Sequence, residues 1–292
     1  MAVVIVLLLV SGIILLPESL TQVLHDEKAK QAVEEKRFVT AAREYAIISK
    51  SHPRTIEYRT WLFHCYVMNH DYEKAIPLIS EFAGKTTEDL ALLALTNTDI
   101  EMLDKLYGDT AVLSIAGNAN DSTSLQQLIY YSVMHPENQM VLYLIANKLF
   151  DKNKFHETDS VCTKLREMSP DFPGLDFLEA AVQRELGEYS TAFALYDHQL
   201  ELNVEDIYAI TAKARLKLKM RRDVDAAEDI KTAKALEPSN ILVLEAEILY
   251  DYFNGKKAEM ENLLEQLKLK DAPDLTVYNR TLQVTSGEIK YR

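Results

Sequence analysis

Seven histidines, two cysteines and one run of basic residues are the side chains of this 292-residue sequence that could carry chemistry. His25, His52, His64, His70, His135, His156 and His198 form no H-E-x-x-H pair and no other metal-ligand spacing. His64 and His70 are six apart, which sets them on roughly opposite sides of a helix. Cys65 and Cys162 stand far apart and neither belongs to a C-x-x-C pair, so they read as buried reduced thiols rather than a disulfide framework or a zinc site. There is no G-x-S-x-G elbow, no G-x-x-x-x-G-K-[ST] loop and no G-x-G-x-x-G turn, and the eight glycines are scattered. The carboxylates are spread over helix surfaces, where solvation and i,i+4 pairing account for them. The chain is therefore read as no enzyme, with no metal and no cofactor.

The basic run Lys213, Arg215, Lys217, Lys219, Arg221, Arg222 stands out in a chain of net charge −13. That overall charge argues against nucleic-acid binding, which draws its affinity from neutralising phosphates. If Arg184, Arg215 and Lys219 face one groove, they favour an acidic peptide or a free C-terminal carboxylate, held by charge-assisted hydrogen bonds. The competing reading is a solvated helix face whose charges pair with acids such as Glu201, Glu205 and Asp223.

The prolines show which elements would position these residues. Pro136 to Pro170 is 34 residues, Pro170 to Pro238 is 68, and Pro238 to Pro273 is 35, with the skipped mark falling at Val204. A proline cannot continue a helix, so one per period marks a recurring break between helices. Fifteen residues before the mark stand Phe38, Tyr72, Phe155 and Tyr189; twelve before it stand Ala41, Ala75, Ala192 and Ala226. Twenty-four before it stand Ala29, Ala146, Ala180 and Ala214, small residues that let two helices approach closely. "AITAKARLKLKMRRD" alternates like a strand, but its place in this period predicts a helix.

In period, aromatic-x-x-Ala step and closing proline the sequence resembles the tetratricopeptide repeat family, over roughly residues 20–87 and 137–273. The resemblance implies an all-α fold, a right-handed α-solenoid of helix-turn-helix repeats. The organisation expected is a hydrophobic N-terminal helix over 1–17, repeats over 18–87, an irregular helical insert or degenerate repeat over 88–136, repeats over 137–273, and a capping helix and tail over 274–292. Within the insert, a short helix over "EDLALLAL" is expected to stop before a second one opening on the capping box Thr98-x-x-Glu101. The family's concave surface, built from the first helix of each pair, commonly holds peptides or partner helices. Its groove positions here would include Tyr143, Asn147, Phe177, Arg184, Tyr208, Arg215 and Lys219. Asn147 matches the family's backbone-clamping asparagine, and an amide that donates and accepts suits an extended backbone.

The opening stretch MAVVIVLLLVSGIILLPESL has sixteen uncharged residues, short of the usual 20 for a span but extended by Pro17 to Leu20. It has no Lys or Arg before Lys28 and no A-x-A site, which disfavours a cleaved signal. Ser19-x-x-Gln22 reads as the cap of the first repeat helix. The expectation is a single-pass membrane protein anchored through residues 1–17, resembling bacterial membrane-anchored repeat scaffolds, with the repeat domain on an undetermined side and a protein or peptide held in its groove. Two alternatives stay open: the regulatory repeat end of a larger membrane protein such as an intramembrane peptidase, and a soluble or periplasmic oligomerisation module. Self-association is open in each.

Overall fold

The computed structural model describes residues 21–82, 89–117, 121–272 and 275–292, and among these it is all-helical, without a strand. The chain divides into two compact units: residues 1–100 with Asn203–Glu205, and residues 101–202 with 206–292.

The first unit contains α1 (21–34), α2 (Phe38–Ser51), α3 (Ile56–Met68), α4 (Tyr72–Phe82) and the start of α5 (Leu90–Tyr107). Its core joins Ala29, Phe38, Ala41, Tyr45 and Cys65, with Trp61 stacked on Tyr45 at 6.3 Å. Buried His64 places Nδ1 3.0 Å from Asp99 and packs edge-on against Phe38 and Trp61. Asn203–Glu205 belongs to this unit: Val204 N–H donates to Lys36 O, and Glu205 accepts from Arg37 Nε and Thr40 N–H.

The second unit takes in the rest of α5, then α6 (Thr110–Ala116), α7 (Asp121–Met134), α8 (Gln139–Asp151), α9 (Phe155–Met168), α10 (Leu175–Leu186), α11 (Tyr189–Leu202), α12 (Ile207–Lys219), α13 (Asp223–Leu236), α14 (Ile241–Phe253), α15 (Lys257–Lys270) and α16 (Thr276–Thr285). From α8 onward helices pack in antiparallel pairs, each on its sequence neighbours. The small residues do what their spacing asked of them: Ala146, Ala180, Ala214, Ala192 and Ala226 are all 0% exposed, at the seams between helices. Two residues after three of the marks at 136, 204 and 238 come Asn138, Asp206 and Asn240, each an N-cap accepting a backbone N–H at 3.0–3.1 Å. The strand-like stretch is helix α12: Ala212, Ala214, Leu216 and Leu218 are all buried because neighbouring helices cover the helix on several sides.

A second 34-residue ruler lies in the backbone. Lys36, His70, Asn153 and Arg221 have φ near +60°, and Gly187 and Gly255 have φ of 88° and 70° at the same place in their pairs. At each, the next N–H reaches back five residues, as Arg37 to Ala32 O or Arg222 to Lys217 O. This left-handed closure ends the first helix of a pair and turns the chain into the second.

Two expectations are corrected. α5 runs unbroken through Thr98, whose hydroxyl donates to Ala94 O inside the helix instead of capping a new one. The expected localisation, a single-pass membrane anchor, is overturned: no helix of the described residues is long and apolar enough to cross a membrane. The longest, α5, has 18 residues but carries Asp99, Glu101, Asp104 and Lys105. The apolar stretch 1–17, the cap at Ser19 and the mark at Pro273 lie outside the described residues.

Candidate binding groove

Within the second unit, the first helices of the pairs line a cavity of about 610 Å³, closed on one side by α16 and residues 289–291. Its positions follow the repeat: Ala181, Arg215 and Leu249 are 34 apart and all line it, as are Asp151, Glu185 and Lys219. Side chains one period apart point the same way from stacked helices, so a groove shows as a column of sequence positions.

Five of the seven residues singled out from the sequence stand around this cavity: Phe177 and Arg184 from α10, and Tyr208, Arg215 and Lys219 from α12. The Phe177 and Tyr208 rings lie 6.1 Å apart as its aromatic wall. Tyr143 and Asn147 do not line it. Tyr143 is turned onto Phe172, ring centroids 5.1 Å apart, and its hydroxyl fills the space where a side chain at Gly174 would begin, 2.6 Å from that Cβ position. Gly174, with φ +80°, is the residue that this close approach requires. Asn147 donates to Tyr143 O at 2.8 Å, so its amide is engaged by its own helix.

The basic run divides by face. Lys213 and Lys217 turn away and pair with Asp197 and Asp229, and Arg222 pairs with Asp225. Arg215 and Lys219 enter the groove. Lys219 Nζ is 2.8 Å from Glu185, which also accepts from Arg184 Nε at 2.8 Å. Arg215 Nη1 is 2.5 Å from Glu245, which Arg280 also contacts at 2.7 Å. The acids expected to neutralise the run, Glu201 and Glu205, are not its partners in these ion pairs; Glu205 serves Arg37 and Thr40, and Asp223 pairs with Arg292.

Glu245 is the residue that sequence reasoning missed. It is 2% exposed, yet charged: burial pushes its carboxyl up, and Arg215 and Arg280 more than cancel that, holding it below the usual carboxylate range. Glu185 is governed the same way, raised by burial and lowered further by Arg184 and Lys219. The signal for Glu245 was its setting in ILVLEAEILYDYF, a carboxylate within a nearly apolar helix. Around the cavity, Arg184, Arg215, Lys219, Arg280 and Lys290 outnumber Asp151, Glu185 and Glu245. Arg215 Nε is buried and makes no hydrogen bond.

Neither thiol is available to chemistry: both cysteines are 0% exposed, and burial pushes the Cys162 thiol up to about 12 and Cys65 higher still. Among the described residues no three His, Cys, Asp or Glu side chains are grouped to hold a metal ion.

No family model matches the chain, and no curated protein matches it. Among solved structures it is similar to a tetratricopeptide repeat protein from Parabacteroides merdae, at 14% identity and a TM-score of 0.51, covering 91% of this chain and 99% of that one. At that identity the likeness concerns architecture, and it agrees with the helix pairs, alanine seams and recurring turns above: the chain has a tetratricopeptide-like helical-repeat fold.

Proposed function

We propose that the chain is a non-catalytic scaffold whose second-unit groove holds an extended segment of a partner protein, one presenting acidic side chains or a C-terminal carboxylate. The observation that carries this reading is the excess of cations in a partly apolar cavity: its helices alone line it with four basic side chains, Arg184, Arg215, Lys219 and Arg280, against three acidic ones. Carboxylates of a partner would complete that balance, and the wall of Phe177 and Tyr208 would take an apolar side chain against it. Arg184, Arg215 and Lys219 supply the charge. Tyr143 and Asn147, engaged by their own contacts on Phe172 and within α8, are given no part in it.

The test is fluorescence anisotropy of the full chain with labelled acidic, neutral and basic peptides of one length. The acidic peptide is expected to bind tightest, to weaken as salt rises, and to lose about tenfold in affinity in Arg184→Gln with Lys219→Gln, or roughly 1.4 kcal/mol. Equal binding of the acidic and basic peptides would sink the reading. A crosslinking pull-down with the same double variant then identifies the partner.

A further inference from the structure

One side of the groove is covered by a piece of this chain. After α16, Gly287 at φ 82° turns the backbone, Ile289 N–H donates back to Gln283 O, and the chain runs along the cavity, which Ile289, Lys290 and Tyr291 line. There the Tyr291 hydroxyl donates to Arg215 O at 3.1 Å, and its ring lies 5.6 Å from Phe253. Arg292 places its guanidinium 3.8 Å over the Phe253 ring and donates to Asp223 at 2.6 Å and to Leu218 O at 3.3 Å. A six-residue segment held by a backbone hydrogen bond, a ring contact and an ion pair is docked rather than frayed. The phenol of Tyr291 sits in the field of Arg184, Arg215, Glu185 and Glu245, and burial holds it up to about 12.

We infer that residues 287–292 are a tethered cover on the groove, which shields Arg184 and Arg215 until a partner segment displaces it. The inference rests on the reading of this groove as the binding site. The tail's chemistry suits a placeholder. It brings a neutral phenol and one basic residue, Lys290, to a cation-rich cavity, while its one acidic side chain, Glu288, is exposed. A partner carrying carboxylates offers the groove what the tail lacks, and so can win against a competitor whose tether gives it a high effective concentration.

The experiment labels the full chain with phenylglyoxal, an arginine reagent, and follows Arg184 and Arg215 by peptide mass mapping. Arg166, held by Asp176 and Glu179, reports whether the unit stays folded. In Tyr291→Ala and in Arg292→Ala the two groove arginines are expected to react about fivefold faster or more than in the wild type, with Arg166 unchanged, as protection by a tethered segment scales with its local concentration. The exposed Glu288→Ala is expected to behave as the wild type. Unchanged rates at Arg184 and Arg215 in both variants overturn the inference. Should Tyr291→Ala also expose Arg166, Tyr291→Phe with Arg292→Ala decides in its place, since it keeps the ring and removes the polar anchors. Binding of labelled hexaglutamate separates the two claims. Affinity about tenfold higher in the tail variants supports both. Equal affinity in wild type and variants overturns the tail's shielding while leaving the groove reading intact. Absence of binding throughout sinks the acidic groove reading, and the labelling rates still settle whether the tail covers the cavity.

Discussion

Glu245 joins two cations that would otherwise face each other across the groove floor, Arg215 from α12 and Arg280 from α16. Removing one partner of a buried ion pair leaves the others uncompensated, so Glu245→Gln is expected to cost about 3 kcal/mol in urea unfolding followed by circular dichroism. The pH dependence has a definite sign. The folded carboxyl is depressed below the usual 4.5, so its contribution is complete above about pH 4.5 and is lost as pH falls through the lower folded value. Wild type is therefore expected to lose stability faster than Glu245→Gln as pH falls below 4.5, and parallel acid profiles would refute this. At this scale the sequence was partly legible. The period singled out five residues that do line the groove, because equivalent positions on stacked helices point alike. It could not reveal that Tyr143 turns away to cover Gly174, since that depends on a glycine in the next repeat. Nor could it pair Arg215 with Glu245 across 30 residues, because both repeat and charge offered nearer acids.

At the scale of elements, six of the described turns between paired helices use a left-handed residue, and only two of these six supply glycine there. A side chain in that conformation costs about 1 kcal/mol relative to glycine. Arg221→Gly is accordingly expected to raise stability by roughly 0.5–1 kcal/mol in urea unfolding, and Lys36→Gly by a similar amount; no gain in either would mean the turn conformation is set by other contacts. The gap in the proline series has an equally local cause. Val204 N–H donates to Lys36 O at 3.1 Å, a bond no proline could make. Val204→Pro is expected to destabilise by about 1 kcal/mol or more, whereas an unchanged unfolding midpoint would show the bond to be dispensable. The helix pairs were readable because their period repeats several times in phase. The insert was not, because a single Thr98-x-x-Glu101 match has no second copy to test it, and helix continuity overrode the local cap.

At the scale of the whole chain, the fold class was legible and the compartment was not. Each described helix is short or charged, and its apolar residues form seams toward neighbours instead of a belt around the helix. Within the second unit, contacts join helices that are next or next but one in sequence, so order spreads along the chain by nearest-neighbour packing. The recurring left-handed turn then has an evolutionary consequence. Gly187 and Arg221 are 34 residues apart, turn the backbone the same way, and flank helices with the same alanine seam. A duplicated cassette cut at these turns would find a matching face on either side, lengthening the groove by one column of side chains without disturbing the existing ones. The reach of the groove thus changes in whole steps of one cassette, so duplication would alter its length before any single substitution alters its lining.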